Sequence, residues 1–232
     1  PHSNTTLRLA AFRVLASTYE FKQTTEPTQV AGFNQFFDDL NASEVSACGA
    51  AVDQTFSKRL FGGVEFLYRD LEVPQVQTAP RLVNFSDWVE QTGLAYIGWA
   101  PVDRFALRVE YQYERFDRED NPRFGIVNID TQRVPISLSI FHPSGLSCRT
   151  SATYFYQEGE FIRTGTVSRF QDSDNFWILD AEASYRLPKR WGRISIGIKN
   201  MLDEEFHYTE TDPSNPAVVP GILAFVKMTL SF

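Results

Sequence analysis

The chain lacks any long apolar run. Its longest uncharged stretch, Val134 to Cys148, contains two prolines and a glycine, and it is shorter than the about 20 apolar residues that a membrane-spanning helix needs. The sequence therefore predicts no transmembrane helix. A mean hydropathy of −0.26 is ordinary for a water-soluble protein, but it does not exclude a β-barrel, whose interior and connections are polar.

Positive charge and metal-binding residues are also scarce. The net charge of −7 gives nucleic-acid binding no electrostatic support, so we expect no nucleic-acid partner. The two cysteines lie a hundred positions apart, a spacing typical of neither a metal site nor a disulfide framework. None of the three histidines has a cysteine or a second histidine at ligand spacing. We therefore predict no catalytic residue, no metal and no other cofactor, and we interpret the acidic stretch around Asp203 and His207 as a solvated loop.

Alternating segments fill most of the chain instead. The clearest runs from Phe105 to Phe116, where apolar side chains at every second position alternate with charged and amide side chains. Successive side chains of a β-strand point to opposite faces, so this segment predicts a strand with one apolar and one polar face. The last eight residues, FVKMTLSF, alternate in the same way and end on Phe232. Because many neighbouring segments share the pattern, the sequence predicts an all-β protein with one apolar and one hydrated surface.

Connections between these segments alternate between short and long. The short ones lie near Ser57, Pro101, His142 and Leu187, and the long polar ones are Leu71–Asp87, Asp117–Asn128, Glu158–Asn175 and Asp203–Gly221. This asymmetry is typical of outer-membrane barrels. Backbone polar groups in hydrocarbon need partners within the protein, so we predict an antiparallel, up-and-down transmembrane β-barrel with about ten strands in this chain. Residues 17–44 and 203–221 become long outer loops, with a further strand segment within 28–37, and Pro135 is interpreted as a bulge or a strand start.

The alternation assigns individual residues to the two surfaces of the barrel. The charged residues predicted to line the lumen are Arg108, Glu110, Glu114, Arg149, Asp180, Glu182, Arg186, Lys199 and Lys227. The residues predicted to face lipid include Val109, Tyr111, Ile196, Val226, Met228 and Leu230. Charges of both signs in a lumen either line a hydrated path or pair with each other in a small, sealed barrel.

Aromatic residues make up 14% of the chain and gather near the ends of the alternating segments. We interpret them as girdles at the two membrane interfaces. The competing interpretation is a soluble β-sandwich, in which the same side chains form the core and the protein acts as a binding module. A sandwich gives no reason for sorting connections by length, so the membrane interpretation is preferred.

A resemblance to a known family appears near the end of the chain. RISIGIKNMLDEEFHY, residues 193–208, followed by a loop and a last strand ending in Phe232, resembles the C-terminal end of TonB-dependent outer-membrane receptors. DAEASYRLPKRWG resembles the preceding strand and turn of that family, and TTLRLAAFR and TTEPTQVAGFNQ more loosely resemble mid-barrel stretches. Similar barrel ends occur in outer-membrane proteins with tetratricopeptide repeats, including exporters of extracellular polysaccharide. The plug domain and the energy-coupling box of the receptors do not occur in the sequence, and the receptors have about 22 strands.

The resemblance implies a place and a role. The place is the outer membrane of a Gram-negative bacterium, with the long loops outside the cell and the C-terminus in the periplasm. The implied partners are outer-membrane lipid, the barrel-assembly machinery, which would read Phe232 as its signal, and an energy-coupling protein if the chain belongs to a receptor. Residues 1–232 are expected to be the C-terminal barrel part of a larger protein that takes up a solute or exports a polymer. The alternative is a sealed structural or adhesive barrel that presents its loops to partners.

Overall fold

The computed structural model describes residues 4–16, 29–34, 39–78, 81–118, 125–163, 168–209 and 221–230. Ten of its strands form one antiparallel sheet, in the order β1-β4-β5-β6-β7-β8-β9-β10-β11-β12, and β2 and β3 form a separate small hairpin. In chain order, the strands are β1 Thr5–Leu15, β2 Gln29–Val30, β3 Phe33–Asn34, β4 Glu44–Ser57, β5 Leu60–Thr78, β6 Arg81–Val102, β7 Phe105–Arg118, β8 Gly125–Phe141, β9 Leu146–Ile162, β10 Arg169–Arg186, β11 Gly192–Lys199 and β12 Leu223–Leu230.

The predicted all-β, up-and-down antiparallel architecture is confirmed. Each strand of the large sheet pairs with its neighbour in the chain once the β2–β3 hairpin is set aside, which lies within the segment predicted to hold an extra strand. β1 and β12 are the two edges of the sheet in the described part of the chain. Among the described residues, no helix is long and apolar enough to cross a membrane.

The connections lie at two ends of the sheet. Residues 58–59, 103–104, 142–145 and 187–191 join strands at one end, which we call the short-connection end. The connections at the other end, the long-connection end, include residues 16–43 and 200–222. At the short-connection end, a 3-10 turn, Pro188–Arg190, leads into β11. β11 begins at Gly192, whose φ is +146°. A Cβ at this position would lie 2.0 Å from the carbonyl oxygen of Thr229, so the position requires a glycine.

Three of the predicted long loops are wrong in extent. β5 and β6 pair without interruption to Thr78 and Arg81, so most of Leu71–Asp87 is strand. β7 runs to Arg118 and β8 begins at Gly125, and β9 and β10 likewise take up most of Glu158–Asn175. Strands of 17 to 22 residues are well beyond the 9–11 residues that cross a bilayer. On β5 and β8 the physical reason is a change of apolar face along the strand.

Pro135 also differs from its prediction, because it lies in the interior of β8 without a bulge. β8 keeps one register with β7 on both sides of the proline, since Val109 pairs with Ile136 and Gln112 with Arg133. The two intervening pairs are missing from that ladder, whereas Pro135 pairs with Thr153 of β9 on its other side. A proline has no N–H to donate, so β8 accommodates it by interrupting one ladder locally.

Candidate functional site

All six residues predicted to face lipid lie on one face of the sheet, here called the apolar face. Cross-strand pairs connect them into continuous rows, such as Ile97 to Val109 to Ile136 on β6, β7 and β8. On β11 and β12, Ile196 pairs with Val226 and Ile194 with Met228. Large apolar side chains on this face are exposed across the whole sheet: Leu7, Leu9, Val52, Val64, Phe66, Ile97, Trp99, Ile136, Ile140, Trp177, Ile196, Val226 and Met228. Contact of this face with lipid remains a prediction.

Aromatic side chains bound the apolar face at both ends. On β7 they are Phe105 near the short-connection end and Tyr113 near the long-connection end, and on β10 they are Tyr185 and Trp177. Eight residues separate the two aromatic positions on each strand, which corresponds to about 26 Å at about 3.3 Å per residue. Beyond Tyr113 the face becomes polar, and the tyrosine hydroxyl donates a 2.8 Å hydrogen bond to Asp130. The apolar face is therefore a band of similar length on both strands.

The other side of the sheet, here called the opposite face, carries all nine residues predicted to line a lumen. Near the short-connection end of β1, β4 and β5, Arg8 pairs with Asp53 at 3.0 Å and with Glu65 at 2.9 Å. The hydroxyl of Tyr96 on β6 donates to Asp53 at 2.6 Å. The guanidinium of Arg108 lies over the Tyr96 ring, 4.8 Å from its centroid. Polar side chains from five strands thus form one connected network.

The same network continues along β7 and β8. Glu110 accepts from Arg108 and, at 2.8 Å, from Gln112, and Glu114 pairs with Arg133. Charged groups of opposite sign are therefore interspersed at this part of the sheet, and the local net charge is small. Arg108, Glu110 and Glu114 are brought together as the alternation predicted, and Arg133 of β8 joins them as the partner of Glu114.

On β9 to β12, the predicted residues are more dispersed. Arg149 lies opposite Glu182 in the β9–β10 ladder, and Glu182 accepts a 2.9 Å hydrogen bond from the Ser184 hydroxyl. Asp180 accepts from the backbone N–H of Asn200 at 2.9 Å. Arg186, Lys199 and Lys227 also lie on the opposite face and are exposed. This part of the sheet has small hydroxyl side chains between its charges, since Ser184 and Ser195 bond each other at 2.7 Å.

Towards the long-connection end, the opposite face is apolar and covered by connection segments. The ring of Phe33, from the β2–β3 hairpin, is 1% exposed and packs on Ala47, Ala51 and Leu67. Gly49 lies under that ring, where a Cβ would come within 2.7 Å of it, so the close contact requires a glycine. Arg8 also donates to the hairpin carbonyl of Ala31 at 3.4 Å. The hairpin therefore rests on the sheet instead of projecting from it.

A buried ion cluster fixes the next part of the same connection. Arg69 of β5 is 2% exposed and binds both carboxylate oxygens of Asp39, at 2.8 and 2.7 Å. Asp39 itself is 7% exposed, and Arg69 also pairs with Glu90 of β6. Both oxygens of Asp39 accept from the same guanidinium nitrogen, Nη2, whereas Nη1 donates to Glu90. Charge-assisted hydrogen bonds between buried groups are strong, so this cluster specifies where the connection docks.

Residues 200–209, here called the β11 strap, cover β9 and β10 in the same way. Phe206 stacks on Phe176 at a centroid distance of 4.2 Å, and Phe176 stacks on Phe155 at 4.9 Å. Gln157 donates to the Thr209 carbonyl at 3.1 Å and accepts from its N–H at 2.8 Å. The segment was predicted to be a solvated acidic loop, and Asp203, Glu205 and His207 are indeed exposed. The prediction did not include the aromatic side chains of the strap, which are packed on the sheet.

Asn200 explains the local turn of the strap. Its side-chain oxygen accepts from the N–H of Glu204 at 3.0 Å, and its amide donates to the Glu204 carbonyl at 3.1 Å. Asn200 and Asp203 both adopt positive φ, of 47° and 52°, which asparagine and aspartate tolerate better than most residues. Asp203 then accepts from the N–H of Ile222 at 3.1 Å. The Asn-Met-Leu-Asp stretch of the family-like end is therefore a turn motif that folds the strap back.

Several strands change their apolar face along their length, which was not predicted. On β5, the apolar positions are Val64 and Phe66 in the first half, but Leu71 and Val73 in the second half, on the opposite face. On β8, Val127 and Ile129 are buried near the long-connection end, whereas Val134 and Ile136 lie on the other parity. The signal was present, because apolar alternation continues through these stretches with its parity reversed.

Some of the predictions fall on residues that the structure does not describe. Phe232, residues 17–28 and 35–38 of the first outer loop, and residues 210–220 of the last one lie outside the described residues. Cys48 and Cys148 are free and exposed. Within the described ranges, no group of three His, Cys, Asp or Glu side chains is placed to hold a metal ion.

Comparisons with known proteins leave the function open. No protein-family model matches the chain, and no curated protein matches it. Among solved structures, the chain is similar to the crystal structure of the Ralstonia pickettii toluene transporter TbuX, with a TM-score of 0.38 and 9% sequence identity. The match covers 86% of this chain and 66% of that transporter, so the chain spans just under two thirds of its length. Similarity at this level assigns no activity to this chain.

Proposed function

We propose that this chain forms the wall of a β-barrel in the outer membrane of a Gram-negative bacterium, and that the barrel moves a solute or a polymer across that membrane. The observation that carries the proposal is the apolar face, which extends over ten strands and is bounded on β7 and β10 by aromatic residues at both ends. Soluble monomers rarely expose contiguous apolar patches beyond a few hundred Å². The roughly 26 Å of strand between the belts is of the order of the about 25 Å apolar band of outer-membrane barrels.

The opposite face then lines the interior of the barrel. Its ion-paired network on β1 to β8 is compatible with water, because each of those arginines has a carboxylate partner within the described residues. Open sheet edges are not tolerated in hydrocarbon, so β1 and β12 pair either with each other or with further strands. With the short connections in the periplasm, β12 ends at the periplasmic side and the long connections lie outside the cell.

A finer proposal is a TonB-dependent receptor or a polysaccharide exporter. It rests on the family-like stretch 193–208, whose Asn200 turn and packed aromatic side chains give that stretch a defined structural role. The receptor version adds an energy-coupling protein as a partner, and both versions add the barrel-assembly machinery.

A second candidate is a sealed barrel with a structural or adhesive role. It is favoured by the three docked segments, the β2–β3 hairpin, the segment at Asp39 and the β11 strap, which cover the opposite face near the long-connection end. If these segments stay in place, they narrow the interior at that end.

Ion preference tests the transport proposal. Changing Glu110→Lys together with Asp180→Lys adds positive charge at two positions of the opposite face. We expect the ion selectivity of the refolded barrel in a planar bilayer to shift towards anions. Reversing a charge at about 4 Å changes an ion's energy by about 2 kcal/mol in water. If the ions pass close to these positions, we expect the ratio of anion to cation permeability to rise by about tenfold or more. The control is Asp103→Lys in the exposed β6–β7 connection.

Two outcomes oppose the transport proposal in different ways. A conducting barrel whose ion preference is the same in wild type and double variant contradicts the assignment of these positions to the path. A folded, membrane-inserted sample without conductance contradicts transport through this chain and favours the sealed barrel.

A further inference from the structure

Charge is unevenly distributed over the opposite face. On β1 to β8, four of its arginines are each matched by acidic side chains: Arg8 by Asp53 and Glu65, Arg69 by Asp39 and Glu90, Arg108 by Glu110, and Arg133 by Glu114. This part of the face is therefore neutralised by the protein itself.

The short-connection end of β10 to β12 is different. Arg186 of β10 and Arg193 of β11 lie directly opposite each other in the β10–β11 ladder. Lys227 of β12 pairs with Ser195, two positions from Arg193 on the same face. We call these three residues the cationic patch. In a chain with a net charge of −7, such a concentration of positive charge is not explained by composition.

Carboxylates near the patch are already engaged. Glu182 lies opposite Arg149 and accepts from Ser184, and it is within electrostatic reach of both Arg149 and Lys227. Asp180 is further along β10 and accepts from the Asn200 N–H. Like charges directly opposite each other destabilise a strand pair, so the Arg186–Arg193 pair has an unfavourable arrangement that a bound anion would relieve.

The surroundings of the patch suit an oxyanion. Arg186, Arg193 and Lys227 are all exposed, and the neighbouring positions on β10 and β11 hold the small side chains of Ser184 and Ser195. Small hydroxyl side chains leave room on the sheet, and a guanidinium offers two parallel N–H groups to a carboxylate or a phosphate. The hydroxyl pair of Ser184 and Ser195, at 2.7 Å, lies in the β10–β11 pair adjacent to Arg186 and Arg193.

We propose that Arg186, Arg193 and Lys227 form a binding site for carboxylate- or phosphate-bearing solutes at the short-connection mouth of the interior. The inference rests on the proposed function, because that function makes the opposite face the lining of a barrel. It deepens the function by naming the solute class: an anion that meets the patch as it enters or leaves at the periplasmic end. A neutral or cationic solute would not be attracted by these three positive charges.

Chemical protection of arginines tests the site without any requirement for conductance. The refolded chain, in a micelle of a neutral detergent, is treated with phenylglyoxal, and modified peptides are counted by mass spectrometry with and without citrate, inorganic phosphate or oligogalacturonate. We expect the anions to slow modification of Arg186 and Arg193 by about fivefold, the equivalent of one close charge contact in water. Arg104, exposed in the β6–β7 connection at the same end, is the internal control and should react at an unchanged rate.

Outcomes of this experiment separate the site from the transport proposal. Equal rates at Arg186, Arg193 and Arg104 with every anion overturn the site, whether or not the barrel conducts. Protection in a barrel that does not conduct supports the site and contradicts transport. Protection by phosphatidylglycerol vesicles without added anion, compared with phosphatidylcholine vesicles, would place the patch against lipid headgroups and overturn the solute proposal.

A pair of variants gives an independent test in a conducting sample. Arg186→Ser with Arg193→Ser removes both guanidiniums and leaves hydroxyls like those of the neighbouring residues, and Arg104→Ser is the matched control. We expect block of the current by oligogalacturonate to weaken by about 25-fold in the double variant, as the product of two fivefold charge contacts, and to stay unchanged in the control. Undiminished block in the double variant overturns the site.

Discussion

Replacing Arg69 by alanine is expected to cost about 3–5 kcal/mol of unfolding free energy, because it leaves two carboxylates without their buried cation. Arg69 is 2% exposed and binds Asp39 through both carboxylate oxygens, and it also pairs with Glu90. The loss should appear in urea unfolding of the refolded barrel followed by tryptophan fluorescence. It should also free the segment at Asp39 for limited proteolysis, since this ion cluster fixes that segment to the sheet.

The matched control for Arg69 is an arginine in an exposed ion pair. Arg115→Ala removes the partner of Asp117, at 3.3 Å, from a pair whose side chains are 43% and 36% exposed. Exposed pairs are worth about 0–1 kcal/mol, so this variant should unfold nearly as the wild type does. If Arg69→Ala were as mild as Arg115→Ala, the Asp39 segment would not depend on the ion cluster, and the covered interior would lose its main fixed point.

Placing an arginine at Val109 is expected to destabilise the barrel in lipid by about 2–4 kcal/mol. Val109 lies on the apolar face, midway between Phe105 and Tyr113, so its side chain would sit near the bilayer midplane. The measurement is reversible urea unfolding in phospholipid vesicles.

The control for Val109 lies three residues along the same strand. Gln112→Arg puts the same side chain on the opposite face, where Glu110 and Glu114 can accept from it, and a change below about 1 kcal/mol is expected. Equal costs at the two positions would contradict the assignment of the faces.

Side-chain alternation made much of the sheet predictable. Strand β7 was readable because its apolar and polar positions keep one parity from Phe105 to Tyr113, and the register of the structure connects those positions into rows on two faces. The antiparallel order followed, since consecutive strands with short connections pair with each other.

The predicted ends of the strands were wrong for a physical reason. A segment such as Leu71–Asp87 looks like a polar loop when only one parity is tested, because its apolar residues Leu71 and Val73 sit on the other one. Strands that extend beyond an apolar band no longer need an apolar outer face, and their inner face packs under the connections. A search for reversed parity near the ends of the apolar face would have extended β5, β8 and β9.

The packing of the segment at Asp39 and of the β11 strap on the sheet could not be predicted from the sequence. Asp39 is 30 positions from Arg69, and nothing local distinguishes it from the other carboxylates that an arginine in the sheet can reach. Phe206 and Tyr208 stand in a stretch crowded with acidic residues, so the composition favoured a solvated loop over the aromatic stack that forms on Phe155 and Phe176. Only the register of β9 and β10 brings that stack together.

Spin labelling of the two faces is the most direct test of the central claim, that the apolar face meets acyl chains while the opposite face is hydrated. After Cys48 and Cys148, both free and exposed, are replaced by alanine, single labels are placed at Val109, Ile196 and Val226 and at Arg108, Lys199 and Lys227 in a barrel refolded into vesicles. We predict that the first three labels collide with oxygen dissolved in lipid and are shielded from a water-soluble nickel complex, and that the other three behave in the opposite way. Labels at Val109, Ile196 and Val226 that are open to the nickel complex would contradict the claim.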